Sequence, residues 1–300
     1  MYLHNEASIL QRLVEDTAEA FGIEKNYVYK DYFVCMALKE MVAANPALVF
    51  KGGTALSKCY DIINRFSEDI DLGLESTKPS EGMRKKTKEA VKHAIDKLGL
   101  AIDNLDDTRS RREFNQYRIK LPMLTNDSPH DVLIIETGLM TSASPSQCGD
   151  LMSFIGEYLV NEERQDIIVQ FELERFNVNV VLLERAFVDK TFALADYYLN
   201  GEILYRQSRH LYDLFKLERA VIFDKSLANL FTYVRSERKG KIKCSSASPG
   251  VSLKVVLQEI LDKQVYRNDY ETVTMPLLYE EVIYNTAASV LPRIINFLDS

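Results

Sequence analysis

The sequence is poor in the patterns that announce several common classes of protein. Cys35, Cys59, Cys148 and Cys244 stand far apart with no C-x-x-C pair, and His4, His93, His130 and His210 show no ligand spacing. That pattern predicts neither a disulfide framework nor a zinc site, and the cysteines read as packing residues. The longest apolar runs, at 132–135 and 180–183, fall far short of a membrane span. The opening MYLHNEASILQRL has no basic stretch and no small-residue cleavage site, so a cytoplasmic protein without membrane association is expected. No internal repeat and no low-complexity tract is present. Positive charge is in deficit overall, with a formal net charge of -7 and a sequence pI near 5.3. This argues against nucleic-acid binding by bulk charge and directs attention to local basic clusters.

What is present is a chain of 300 residues, 46% hydrophobic and 27% charged, enough for one large or two small domains with sizeable cores. Apolar residues at helical spacing predict helices over 7–21 and 29–43, separated by Gly22. Residues 47–51 then read as a short strand running into Gly52-Gly53, and 54–63 as a helix with Thr54 as its N-cap. From 69 to 74 the pattern is strict alternation, with Ile70, Leu72 and Leu74 on one side and Asp69, Asp71 and Gly73 on the other. A basic amphipathic helix is expected over 83–98. Strand composition follows at 116–121, 132–137, 167–172 and 178–183, with a helix at 151–161. Beyond Glu184 the pieces 188–198, 208–222, 253–263 and 280–297 read helical, and 239–250 is the most linker-like stretch. The expected architecture is a mixed α+β domain over 1–185 followed by a helical domain over 186–300.

The span FKGGTALSKCYDIINRFSEDIDLGLE, residues 50–75, carries the chemistry. Aspartates at i and i+2 of a strand bring two hard oxygen donors together, as suits Mg²⁺ or Mn²⁺ ions that also take phosphate oxygens. A glycine pair at a strand-to-helix turn lets backbone N–H groups approach phosphates. Alone, an Asp-x-Asp is commonly solvated surface and a Gly-Gly merely a turn. In this order they point at one ligand, a triphosphate with its metal ions, and at phosphoryl or nucleotidyl transfer. No G-x-x-x-x-G-K-[ST] P-loop exists, since Lys51 precedes the glycines and Lys58 lies within the helix.

KGGTALSK followed by RFSEDIDL resembles the signature of the AbiEii/AbiGii toxin family, within the nucleotidyltransferase superfamily. KDYFVCMALKEM (30–41), RAFVDKTFAL (185–194) and RQSRHLYDLFKL (206–217) are similar to further family blocks in the same order, so the resemblance covers residues 25–220. It implies a nucleotidyltransferase-type mixed β-sheet flanked by helices, with a C-terminal helical domain completing the active-site cleft. Gly53 and Thr54 match the superfamily's Gly-Ser step, with threonine for serine, and Asp69 and Asp71 match its metal-binding pair. A third carboxylate is expected from a neighbouring strand, with Glu136 in VLIIETG as the candidate and Asp131 as the alternative. The family often carries a lysine two positions before this acid, where Ile134 stands here. Lys190 and Asp213 match family positions at the site.

The resulting catalytic set is Asp69, Asp71, Glu136, Lys190 and Asp213, with Asp69, Asp71 and Glu136 on the metal. Lys51, Gly52, Gly53, Thr54, Arg65, Ser67 and Arg209 are the candidates for the nucleotide. Arg65 and Ser67 read equally as phosphate contacts or as a salt bridge and a strand-entry cap. Lys190 reads alternatively as a solvated helix lysine, and Asp213 as the partner of Arg209 one turn away. Three basic clusters are acceptor candidates: Arg84, Lys85, Lys86, Lys88 and Lys92; Arg109, Arg111 and Arg112; Arg235, Arg238, Lys239, Lys241 and Lys243. Charge runs are more often solvated faces. The resemblance implies a toxin of a toxin–antitoxin or phage-defence pair, modifying tRNA or another RNA and restrained by an antitoxin. Transfer of AMP to a protein, a small-molecule acceptor, and a catalytically silent nucleotide sensor are the alternatives. The intact aspartate pair weighs against the sensor, because two adjacent carboxylates repel without a cation.

Overall fold

Six strands form one mixed sheet in the order β3-β4-β2-β1-β6-β5. They are β1 (Val49–Lys51), β2 (Ile70–Gly73), β3 (Phe114–Lys120), β4 (Val132–Gly138), β5 (Ser146–Leu151) and β6 (Phe176–Val181). The computed structural model describes residues 1–67, 69–122, 132–201 and 205–299. β1 runs antiparallel to β2 and parallel to β6, while β4 runs parallel to β2 and antiparallel to β3. The chain divides into two compact units, one of Met1–Cys59 with Ser67–Val180 and one of Tyr60–Phe66 with Val181–Ser300.

In the first unit, α1 (Ala7–Phe21) and α2 (Lys25–Ala44) precede the sheet, and α4 (Glu81–Lys97) follows β2 after the short α3 (Gly52–Lys58). α2 buries Val28, Tyr32, Phe33, Met36, Ala37, Leu38 and Met41, an almost all-round apolar surface suited to a central position. α4 buries Thr87, Ala90, Val91, Ala94 and Ile95 on one stripe, against α2, and Ser80 caps its start by accepting from Met83 N. The sheet alternates in the same way. Ile70, Leu72, Leu133, Ile135, Tyr117 and Ile119 are buried, whereas their neighbours Asp71, Ile134, Glu136, Gln116 and Arg118 are not.

Three expectations are corrected. Residues 167–172 are not a strand; they lie mostly in α6 (Gln165–Gln170), which follows α5 (Phe154–Asn161). The β-branched run suggests a strand, yet Ile168 and Phe171 are the buried pair, three apart, while Val169 is 58% exposed. The helix expected over 54–63 spans Gly52–Lys58, with Lys51 in extended conformation as its N-cap. Thr54 is its third residue and is buried, not the cap. β5 gives no hydrophobic signal, because it exposes Gln147, Cys148 and Asp150 at the sheet's edge.

The second unit holds α7 (Leu183–Leu199), α8 (Arg209–Leu217), α9 (Lys225–Arg238), α10 (Leu253–Asp262) and the terminal helices Tyr284–Ala288 and Val290–Phe297. Leu194, Leu211, Leu214, Leu257, Ile260, Leu291 and Ile294 are fully buried there. α9 was not signalled by the sequence pattern, since its buried positions are few: Leu227, Phe231, Val234 and Glu237. No helix among the described residues is long and apolar enough to cross a membrane.

Candidate active site

Strand register builds a row of functional side chains across the first unit. Lys51 on β1 pairs with Asp71 on β2, Asp71 with Glu136 on β4, and Glu136 with Gln116 on β3. Paired residues project to the same side of a sheet, so the four stand side by side on one face, about 5 Å from strand to strand. Asp69 lies one residue before β2 begins. The opposite face is the apolar one, which explains why a four-residue strand reading I-D-L-G can carry an acid without exposing its core side.

Glycines shape this row. Gly52 has φ +77, and a Cβ there would stand 1.9 Å from Asp71 Oδ2. The Asp71 carboxylate thus lies directly against the glycine turn, a proximity that any side chain at 52 would abolish. Gly73 and Gly138 sit two residues beyond Asp71 and Glu136 on the same face. A Cβ on Gly73 would lie 3.6 Å from Lys51 Cε, and one on Gly138 3.1 Å from Lys51 Nζ. The Lys51 side chain therefore runs across the sheet over Gly73 and ends above Gly138. Neither glycine was singled out in the sequence, although D-L-G and E-T-G repeat the same acid-x-glycine spacing.

Glu136 accepts a hydrogen bond from Gln116 Nε2 at 2.8 Å, a positioning partner that sequence reasoning missed. The hydroxyls of Thr54 and Ser67 are 3.1 Å apart, joining the glycine turn to the approach to Asp69. The alternative acid Asp131 lies outside the described residues.

The second unit contains the other candidates. Asp213 of α8 is fully buried and receives Arg65 as a two-pronged fork, Nε to Oδ1 at 2.7 Å and Nη2 to Oδ2 at 2.8 Å. Lys190 of α7 completes the cluster at 2.6 Å from Oδ2. Lys190 is only 7% exposed, so it is not a solvated helix lysine. The salt bridge weighed for Arg65 exists, and its partner is Asp213. Burial would raise the Asp213 carboxyl, but Arg65 and Lys190 outweigh it and hold the group well below the ordinary carboxylate range. His210 stacks on Tyr197 with ring centroids 5.8 Å apart. Burial and the nearby Lys190 cation lower its pKa well below the ordinary value, and Nδ1 has no hydrogen-bond partner among the described residues. Arg209 donates from Nε to Arg206 O at 2.9 Å.

Two of the three basic clusters meet. Arg84 Nη1 donates to Arg111 O at 3.1 Å, and Lys88 Nζ to Thr108 O at 2.9 Å, fixing the arginine-rich loop to α4. The third cluster is partly internal: Arg238 pairs with Asp196 at 2.5 Å.

A sheet with flanking helices that presents a Gly-Gly turn against an Asp-x-Asp strand and a third acid on the next strand defines a nucleotidyltransferase. The profile of the family described as "Nucleotidyl transferase AbiEii toxin, Type IV TA system" matches residues 37–283. The chain belongs to this family, and the match continues beyond the last motif block, 206–217, to residue 283. Among solved structures, it is similar to MenT4, a nucleotidyltransferase toxin from Mycobacterium tuberculosis. The TM-score is 0.52 and the identity 18%, over 96% of this chain and 89% of that one. No curated protein matches it. Family membership implies an NTP substrate and an antitoxin partner.

Proposed function

We propose that the protein moves a nucleoside monophosphate from an NTP to a hydroxyl of RNA, with tRNA as the favoured acceptor, and that a divalent cation assists. The observation carrying this reading is the single row of Lys51, Asp71 and Glu136 on the open face of the sheet, with the glycine turn pressed against Asp71.

The donor set suits Mg²⁺ or Mn²⁺. The described residues hold no group of three or more protein ligands arranged as a cage. Mg²⁺ in nucleotide enzymes is characteristically held by one or two carboxylates and completed by substrate phosphates and water, and Asp69 and Asp71 supply that number. Glu136, expected on the metal, does not close a three-ligand group with Asp69 and Asp71 in this structure and is assigned the proton instead. Such an ion neutralises triphosphate charge and polarises the phosphoryl oxygens.

The acceptor oxygen attacks the α-phosphorus, the bond to the β-phosphate oxygen breaks, and pyrophosphate leaves with the bonding electrons. Glu136, oriented by Gln116, takes the hydroxyl proton. The Lys51 ammonium, Gly52, Gly53 and Thr54 face the phosphates, with Ser67 holding the Thr54 hydroxyl. Lys190 and Asp213 are assigned to the same reaction on their motif match, and Arg65 positions Asp213 within its own unit.

The test is label transfer: purified protein with Mg²⁺, each of the four α-labelled NTPs in turn, and either total RNA or total protein as acceptor, beside Asp71→Asn. Label entering RNA with the intact protein alone supports the reading and names the nucleotide. Label in a protein band assigns the chain to protein modification instead. NTP binding without transfer to either pool identifies a silent sensor.

A further inference from the structure

The row has a direction. In-line displacement places the attacking and leaving oxygens on opposite sides of phosphorus. The glycine turn follows β1 on one side of Asp71 and Glu136 lies on the other, β3-facing side, while the Lys51 side chain spans the row to end above Gly138. With Glu136 as the base, the acceptor must therefore approach across β3.

β3 is built unlike a passive edge. Phe114, Gln116, Arg118 and Lys120 are all exposed and alternate with buried Asn115, Tyr117 and Ile119. Register places them on the face that carries Glu136, with Phe114 opposite Gly138 and Arg118 opposite Ile134. Arg118 and Lys120 have no carboxylate partner among the described residues. Charged side chains are a common guard on free sheet edges, but this edge is already covered. Asp103 N donates to Arg118 O at 2.8 Å, Asn104 Oδ1 accepts from Arg118 N at 2.9 Å, and Asn104 Nδ2 donates to Gln116 O at 2.9 Å. Nor would edge protection call for a phenylalanine that is 50% exposed beside the catalytic row. Arg111 and Arg112, exposed in the loop pinned to α4, extend the positive strip beyond Phe114.

We infer that the open face of β3 is the acceptor platform for the single-stranded 3′ end of an RNA. Phe114 stacks a base, Arg118 and Lys120 hold backbone phosphates at the roughly 6.8 Å repeat of a strand face, and the terminal hydroxyl is delivered to Glu136. Aromatic stacking flanked by cations is the general chemistry of single-strand binding. The inference rests on the reaction proposed above and adds where its acceptor lies.

The experiment uses the full chain and a fluorescent single-stranded RNA of about 12 nucleotides with a free 3′ hydroxyl. It compares the unaltered protein with Phe114→Ala, Phe114→Trp and Arg118→Glu/Lys120→Glu, measuring RNA affinity, NTP affinity and label transfer to RNA. The platform predicts at least tenfold weaker RNA binding for Phe114→Ala and for the double charge reversal, restoration by Phe114→Trp, and unchanged NTP affinity. Equal RNA affinity in all variants, with transfer to RNA intact, overturns the platform and leaves the reaction standing. Absence of transfer to any RNA by the unaltered protein overturns the reaction, and the platform with it. Loss of NTP affinity alongside RNA affinity shows disruption of the sheet and also counts against the platform, since only these exposed side chains were changed.

Discussion

At Gly52 a methyl group would meet Asp71 Oδ2 at 1.9 Å on a backbone with φ +77. Gly52→Ala should therefore cost about 1–3 kcal/mol of stability and abolish transfer, because Asp71 must move as the turn distorts. Gly138→Ala separates site geometry from folding. Its methyl would press on the flexible end of Lys51 at 3.1 Å and on no backbone. Stability should stay within about 0.5 kcal/mol of the original, while the KM for NTP rises several-fold as the ammonium is displaced. Denaturant unfolding and steady-state kinetics on the same preparations distinguish the two substitutions. Asp71→Asn should lower transfer by at least about 10² while leaving unfolding nearly unchanged, since a charge is lost from the open face rather than from the core.

Among the elements, those that the alternation or the helical stripe defines were legible: β2, β3, β4, α1, α2, α4 and the helices of the second unit that bury a broad apolar face. The missed or mistaken elements are those whose burial is decided by neighbours. α6 reads as a strand because Ile167, Ile168 and Val169 are β-branched, and β5 is silent because it packs few side chains. At the site, the acids were legible because chemistry fixes their spacing. Gln116, Gly73 and Gly138 were not, because their roles arise from register between strands distant in sequence. The cluster on α7 and α8 shows the same limit, for Arg65 and Asp213 are 148 residues apart. Asp213→Ala would leave the Arg65 guanidinium and the Lys190 ammonium buried without a counter-charge. Destabilisation of about 3–5 kcal/mol is expected, measurable as a shift of the urea midpoint.

For the molecule as a whole, His210 and Asp213 give acid sensitivity of known sign, and His4, whose pKa burial also lowers, adds to the first of the two declines. His210 has a lowered folded pKa, so it must remain neutral to fold; its contribution is complete above about pH 6.5 and is lost as pH falls below that value. Asp213 is also depressed, and its contribution is lost only further down, below about pH 4. Thermal unfolding temperature should therefore start to fall between pH 7 and 5, and His210→Asn should lessen that first decline without removing the second. The overall charge of -7 coexists with a basic strip on β3, so RNA affinity should be salt-sensitive yet modest in slope. The two phosphate contacts of Arg118 and Lys120 imply roughly a 7-fold loss between about 50 and 200 mM salt, and a fluorescence titration at several salt concentrations reads that slope. The seven residues Tyr60–Phe66 belong to the second unit although they lie between the glycine turn and the aspartates. There Asn64 N donates to the Tyr212 hydroxyl and Phe66 N to Leu277 O. These anchors are synthesised long after the segment itself. At about 5–20 residues per second, a ribosome needs on the order of 7–30 s to travel from Arg65 to Asp213, and longer to reach Leu277. Throughout that interval the nascent chain carries its glycine turn and both aspartates with the connection between them still untethered.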